Sequence, residues 1–252
     1  MKISVVTVCY NAADTIEKTM LSVLNQTYHD IEYIIIDGGS TDGTVEIIRK
    51  YADRIAYWVS EPDKGIYDAM NKGIKVATGE YIYFLGADDL LCENVFFYIA
   101  PLLTRTHTIY YGNVYMVNQK INYDGPFSRY KLAIHNICHQ AILYHRSVYD
   151  ERLYDVDYRL FADYVFNIQS WGDKRVKFVY LPFVIADFND CGRSSIRKND
   201  LRFLKNNSMI ILQNLGITCF VYYQVVHFYL KVKSIFLSCL LYTSPSPRDV
   251  EE

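Results

Sequence analysis

Between residues 3 and 89 the chain alternates short apolar, β-branched runs with segments of helical spacing, and few folds accept that alternation. Ile3-Ser-Val-Val-Thr-Val-Cys9 reads as a fully buried strand, and Glu32-Tyr-Ile-Ile-Ile-Asp37 as a second. Ile55 to Ser60 gives a third and Tyr81-Ile-Tyr-Phe-Leu-Gly86 a fourth. Ile16, Met20, Val23 and Leu24 share one helical face between the first two strands. Asp14 followed by Glu17 has the spacing of a capping box. After the glycine loop Gly38 to Gly43, with Asp42 as a helix cap, Val45, Ile48 and Tyr51 mark a second helix. Ile66, Met70 and Ile74 mark a third. The order β-α-β-α-β-α-β predicts an α/β fold with a parallel sheet covered by helices on both faces.

Such sheets bind ligands where the strands end at their carboxyl side. Three polar clusters fall there: Tyr10-Asn11, Asp37 with its glycine loop, and Asp88-Asp89. The last is the most pointed, because an apolar aromatic run stops abruptly at two adjacent carboxylates. Such a pair repels itself and is costly in apolar surroundings unless a cation intervenes. Hard oxygen ligands suit Mg²⁺ or Mn²⁺; a solvated acidic turn is the plainer alternative.

The second half is less regular. Helices are expected over Cys92 to Leu103, Phe161 to Trp171 and Leu201 to Leu215. Strands are expected over Thr108 to Val117, Cys138 to Tyr144, Val176 to Leu181 and Val184 to Phe188. Residues 1–103 then form a ligand-binding half, 104–200 the other half of the same domain, 201–242 carboxyl-terminal helices, and 243–252 a tail.

Composition narrows the function. Of 252 residues, 51% are hydrophobic, enough for a large core, and 26 Lys and Arg nearly balance 28 Asp and Glu. A near-neutral chain does not suit a nucleic-acid binder that works through a basic face. Cysteines 9, 92, 138, 191, 219 and 239 show no metal-finger spacing and read as reduced thiols, and Met1-Lys2 leads straight into a strand without a secretory leader. The expected location is cytoplasmic.

Four segments, taken in order, resemble family-2 glycosyltransferases of the GT-A fold. They are Ile3 to Asn11, Ser22-Val-Leu-Asn-Gln-Thr27, Ile36-Asp-Gly-Gly-Ser-Thr-Asp-Gly-Thr44 and Gly79 to Asp89. Glu61-Pro-Asp-Lys-Gly-Ile-Tyr-Asp-Ala-Met-Asn-Lys-Gly73 is similar to a bacterial branch that makes exopolysaccharide, capsule or O-antigen chains. The resemblance implies a Rossmann-like sheet with a mixed α/β acceptor side. It also implies an inverting, metal-dependent transfer from a nucleotide-sugar donor, probed first as a UDP-sugar, to a saccharide or lipid-linked saccharide. Asp89 would bind Mg²⁺ or Mn²⁺, and Asp88 would contact the ribose or a metal-bound water.

Asp37 is implied as an acceptor for a base N–H, or else serves the turn. Many relatives carry a second carboxylate after it, where this chain has Gly38. Tyr10 is placed to stack on the base beside Asn11. Lys64 is placed to pair with phosphate or base, and Asp68 and Asn71 to line the donor site; solvation or capping are the alternatives. Where relatives carry two acids at a helix start, this chain has Ala162-Asp163, leaving Asp163 as the implied general base, with Asp155 and Asp157 as fallbacks. His139-Gln140 resembles an acceptor-side feature, although a lone His is commonly a hydrogen-bonded core residue. Arg193 or Ser194, within Cys191-Gly-Arg-Ser-Ser195, would donate to the diphosphate.

A nucleotidyltransferase shares the sheet and the carboxylate, but it usually carries Arg and Lys in a Gly-rich loop after the first strand, where this chain has Tyr10-Asn-Ala-Ala. A catalytically silent scaffold is the non-enzymatic rival. Residues 217–242 are apolar and aromatic, interrupted by Lys231 and Lys233, so the uninterrupted run falls short of the ~20 residues of a spanning helix. That pattern fits either an interfacial helix at an anionic membrane surface or a helix packed on the domain. Ser-Pro-Ser-Pro in 243–252 reads as a disordered tail, or as sequence foreign to the protein.

Overall fold

The computed structural model describes residues 1–192 and 200–242. The expected diphosphate contacts Arg193 and Ser194, and the tail 243–252, lie outside the described residues.

Strands β1 (Ile3–Cys9), β2 (Ile31–Asp37), β3 (Tyr57–Ser60) and β4 (Tyr81–Gly86) form the parallel part of one sheet, in spatial order β3-β2-β1-β4. Helices α1 (Ile16–Leu24), α2 (Thr44–Lys50) and α3 (Ile66–Val76) supply the crossovers. All seven residues of β1 are buried, as its unbroken apolar run requires. Its alternate side chains feed two cores: Val6 and Val8 on one face, Ile3 and Val5 on the other. The first core also receives α3 and the second α1, so both faces are covered as expected.

Beyond β4 the sheet continues as β8 (Ile142–His145), β6 (Thr108–Met116), β9 (Lys177–Phe188) and the short β5 (Leu90–Leu91), with β7 (Ile121–Tyr123) paired to β6. Strand β8 runs antiparallel to both β4 and β6, while β6 and β9 are parallel. The remaining helices are α4 (Val95–Ile99), α5 (Arg129–Ile134), α6 (Ala162–Gly172), α7 (Leu201–Leu215) and α8 (Ile217–Tyr242).

Several local expectations are corrected. Helix α1 starts at Ile16 with Thr15 as its cap residue and no side-chain capping bond, so Asp14 and Glu17 form no capping box. Asp42 acts one position ahead of the cap Gly43: it accepts from Thr44 N at 3.1 Å and from Ala13 N at 3.0 Å, joining two loops. The helix expected over Cys92 to Leu103 is the single turn α4 followed by a 3₁₀ turn, because Leu90–Leu91 and Cys92 pair with β9 instead. His139–Ala141 is a 3₁₀ turn rather than the start of β8. The two short strands after Val176 are one strand, β9, which passes Pro182 because its register against β6 shifts between Tyr111 and Val114.

Candidate active site

The carboxyl ends of β1 and β4 open onto a cleft of about 690 Å³ whose far wall comes from the second half of the chain. Tyr10, Asn11, Asp88, Asp89, His139, Gln140 and Asp163 all line it, so residues up to 153 positions apart in sequence share one cavity. Its acidic lining residues are Asp14, Asp88, Asp89 and Asp163; no Lys or Arg lines it among the described residues.

Asp89 is 1% exposed. Asn189 N donates to its Oδ1 at 2.8 Å and Gln140 Nε2 to its Oδ2 at 2.7 Å. Burial raises its pKa to about 7; the Asn189 bond works against that rise, Asp88 adds to it, and Gln140 again opposes it. Asp88 is more open and takes Asn189 Nδ2 at 3.1 Å on Oδ2. Each carboxylate keeps acceptor capacity beyond these bonds. Two adjacent oxygen donors, one of them protonation-prone when alone, fit a small divalent cation that completes its shell from a substrate. No cluster of three or more His, Cys, Asp or Glu able to hold a metal occurs among the described residues.

Asp163, the second residue of α6, is buried. Tyr67 Oη donates to its Oδ1 at 2.6 Å, and Asn136 Nδ2 to its Oδ2 at 2.7 Å. His139 Nδ1 stands 3.6 Å from Oδ2, beyond hydrogen-bonding distance. Burial opposes ionisation, but His139, Tyr67 and Asn136 outweigh it and hold the carboxyl below its ordinary pKa. Asn136 is itself fixed by Asn167 Nδ2 at 3.0 Å, and Asn167 by Tyr144 Oη at 3.0 Å. His139 is not the hydrogen-bonded core residue that a lone His suggests: both ring nitrogens are buried without a hydrogen-bond partner among the described residues.

At the other end, Tyr10 is 55% exposed and Asn11 adopts a left-handed φ of 50°. Asn11 N donates to Ser40 Oγ at 2.7 Å and Thr41 N to Asn11 Oδ1 at 3.0 Å, which ties the β1 loop to the β2 loop. Asp37 is fully buried and committed to that loop. It accepts from Gly39 N at 3.1 Å, Ser40 N at 2.9 Å and Ser60 Oγ at 2.6 Å, besides Ser40 Oγ and Cys9 Sγ. Burial works against its charge, and the Ser40 and Ser60 bonds overcome this to lower its pKa. Gly38 admits a close neighbour: a Cβ there would stand 2.5 Å from Asp63 Oδ2 and 3.5 Å from Tyr10 Cδ2. Asp63 Oδ1 in turn accepts from Gly65 N at 2.7 Å.

Other expected residues stand apart from the cleft lining. Lys64 N donates to Asp68 Oδ2 at 3.0 Å in an exposed local turn. Asn71 is buried and pairs with the Tyr154 backbone in both directions. Asp155 and Asp157 are exposed and ion-paired to Arg202. Sequence reasoning missed Tyr67, Asn136 and Asn189: Tyr67 lies within the Glu61 to Gly73 segment but receives no role there, and Asn136 and Asn189 are single polar residues in unremarkable local patterns.

A family model described as Glycosyl transferase family 2 matches residues 4–166. The chain is 34% identical over 214 residues to a PGL/p-HBAD biosynthesis glycosyltransferase of Mycobacterium bovis, covering 82% of this chain and 84% of that one. Among solved structures, S. aureus TarS 1-349 in complex with UDP aligns with a TM-score of 0.67 at 18% identity, covering 85% of this chain and 66% of that one. This chain spans 40% of the longer TarS chain. The mannosyltransferase PcManGT from Pyrobaculum calidifontis, in complex with GDP-Man and Mn²⁺, aligns with a TM-score of 0.66 at 16% identity, covering 98% of this chain and 76% of that one. The sheet order, the acidic cleft at its carboxyl edge and these matches converge: the chain belongs to glycosyl transferase family 2 and is a glycosyltransferase with the GT-A fold.

Proposed function

We propose that the protein transfers a sugar, with inversion, from a nucleotide-diphosphate donor to the hydroxyl of a saccharide or lipid-linked saccharide in surface glycan synthesis. The donor to try first is a UDP-sugar. The observation that carries this reading is the cleft's charge. It holds four carboxylates and no Lys or Arg among the described residues, an arrangement in which a divalent cation would offset the repulsion of a diphosphate. Structural neighbours are bound to UDP in one case and to GDP-Man with Mn²⁺ in another. Asp89, with Asp88 beside it, would hold Mg²⁺ or Mn²⁺, which when bound would neutralise charge on the departing diphosphate.

The rest falls to the chain's own groups. A nucleotide sugar is linear, and the cleft has Tyr10 and Asn11 among its lining residues as well as Asp163. Base and ribose belong toward Tyr10 and Asn11 at the β1–β2 end, and the sugar toward Asp163 beyond β4. Asp163 takes the proton of the acceptor hydroxyl as its oxygen bonds to the anomeric carbon and the bond to phosphate breaks. Tyr67 and Asn136 keep that carboxylate ionised and aimed. Asp37 supports the base end by holding the loop rather than by offering a spare oxygen.

The test is release of nucleotide from a panel of nucleotide sugars with Mn²⁺ or Mg²⁺. Asp89→Ala is expected to abolish metal-dependent turnover in a folded protein, and Asp163→Asn to keep donor binding while losing transfer. Near-normal activity of Asp89→Ala under chelation would overturn the metal assignment, and persistent transfer by Asp163→Asn the base.

A further inference from the structure

Helix α8 is apolar nearly all round, yet the fold covers only one side of its first turns, and residues 227–231 are exposed on every side. Cys219 and Tyr223 are buried on that side. Tyr223 Oη accepts from Asn207 of α7 at 2.6 Å, and Tyr222 meets Tyr130 of α5 with ring centroids 5.6 Å apart. On the opposite side Ile217, Val221, Val225, Phe228 and Ile235 recur at helical spacing as one stripe, each more than half exposed. A water-facing helix ordinarily turns polar residues outward, so this stripe implies a partner.

Charge identifies the partner. Residues 201–242 contain Arg202, which pairs with Asp155 and Asp157, and Lys205, Lys231 and Lys233, and every one of the chain's 28 acidic residues lies outside that segment. Lys231 and Lys233 are exposed in the second half of α8, Lys231 at the edge of the stripe and Lys233 farther round the helix. Two copies docked stripe to stripe in parallel would bring these lysines together with no carboxylate from the segment between them, and an antiparallel pair would offer them no carboxylate from it either. An anionic lipid surface satisfies both features, taking up the apolar side chains while its headgroups meet the lysines. Among the described residues no helix is long and apolar enough to cross a membrane, so the contact is one of lying on the surface.

We infer that α8 docks on an anionic bilayer surface through the stripe Ile217, Val221, Val225, Phe228 and Ile235, flanked by Lys231 and Lys233. Helix α7 links this surface to the site: α7 packs against α6, which carries Asp163, as Phe203 stacking on Phe161 and Tyr164 at 4.8 and 5.3 Å shows. If the proposed sugar transfer is right, a lipid-linked acceptor would reach the cleft from this side; the docking itself does not depend on that reading.

The experiment is co-sedimentation of the full chain with vesicles of phosphatidylcholine alone or mixed with phosphatidylglycerol, at low and high salt. Binding to the mixed vesicles, weakened by salt, is expected. Lys231→Glu with Lys233→Glu is expected to lower the anionic partition coefficient about 30-fold or more, at about 1 kcal/mol per basic residue. Val225→Glu with Phe228→Glu is expected to remove binding to both vesicle types. Circular dichroism and nucleotide release in solution, both unchanged, keep misfolding apart from lost docking. Equal partitioning of wild type and variants would overturn the inference. So would absent vesicle binding with a concentration-dependent dimer in light scattering, which would assign the stripe to a second copy.

Discussion

Removing the Tyr67 hydroxyl should make Asp163 harder to ionise by an amount the structure sets. Tyr67 Oη donates to Asp163 Oδ1 at 2.6 Å inside a buried pocket, and Asn136 is the other donor within hydrogen-bond distance. A hydrogen bond to a charged group contributes ~1.5–3 kcal/mol. One pKa unit is about 1.4 kcal/mol, so Tyr67→Phe should raise the Asp163 pKa by about one to two units. The acidic limb of kcat/KM, measured as nucleotide release with acceptor present, should move up by the same interval.

Stability must shift consistently. The folded-state pKa of Asp163 lies below its ordinary value, so its contribution is present above that ordinary value and lost as pH falls through the folded one. Tyr67→Phe should therefore unfold more easily near neutrality, by ~1.5–3 kcal/mol, with the gap narrowing on acidification. If the variant's acidic limb overlays that of the wild type in a folded protein, ionisation of Asp163 does not govern the rate and the base assignment fails.

Two further substitutions probe the frame around the site. Gly38→Asp would put a Cβ 2.5 Å from Asp63 Oδ2 and a second negative charge beside it, so UDP affinity measured by calorimetry should fall at least tenfold; an unchanged affinity would show that this loop does not shape the base end. Asn71→Ala leaves the buried Tyr154 N–H and C=O unpaired, at ~1–3 kcal/mol each. Chemical denaturation should show a loss of ~2–6 kcal/mol, and a loss within error of zero would mean that water replaces both bonds.

The donor half was legible because its information is local. Each strand is one apolar run, each helix one periodic face, and the carboxylates sit where a run stops. The acceptor half was not, because its geometry is decided between distant segments. Cys138 to Tyr144 has the composition of a strand, yet its first residues form a turn that sends Gln140 to Asp89 and gives Gln140 O to Tyr83 Oη at 2.8 Å. Cys92 to Leu103 looks helical until β9 claims its first residues. Asp37 was found by position, but only the fold reveals that its oxygens are taken by its own loop.

The grip on Asp89 also bears on how the protein comes into being. Its two clamps are donated by Gln140 and Asn189, 51 and 100 residues downstream. A nascent chain released only through α4 already carries Asp88 and Asp89 but neither clamp. Residues 1–103 alone would thus leave Asp89 without either bond, whatever the regularity of their β-α alternation. The surroundings of Asp89 are therefore complete only once β9 has emerged and paired, and so mark completion of the whole sheet rather than of its early half.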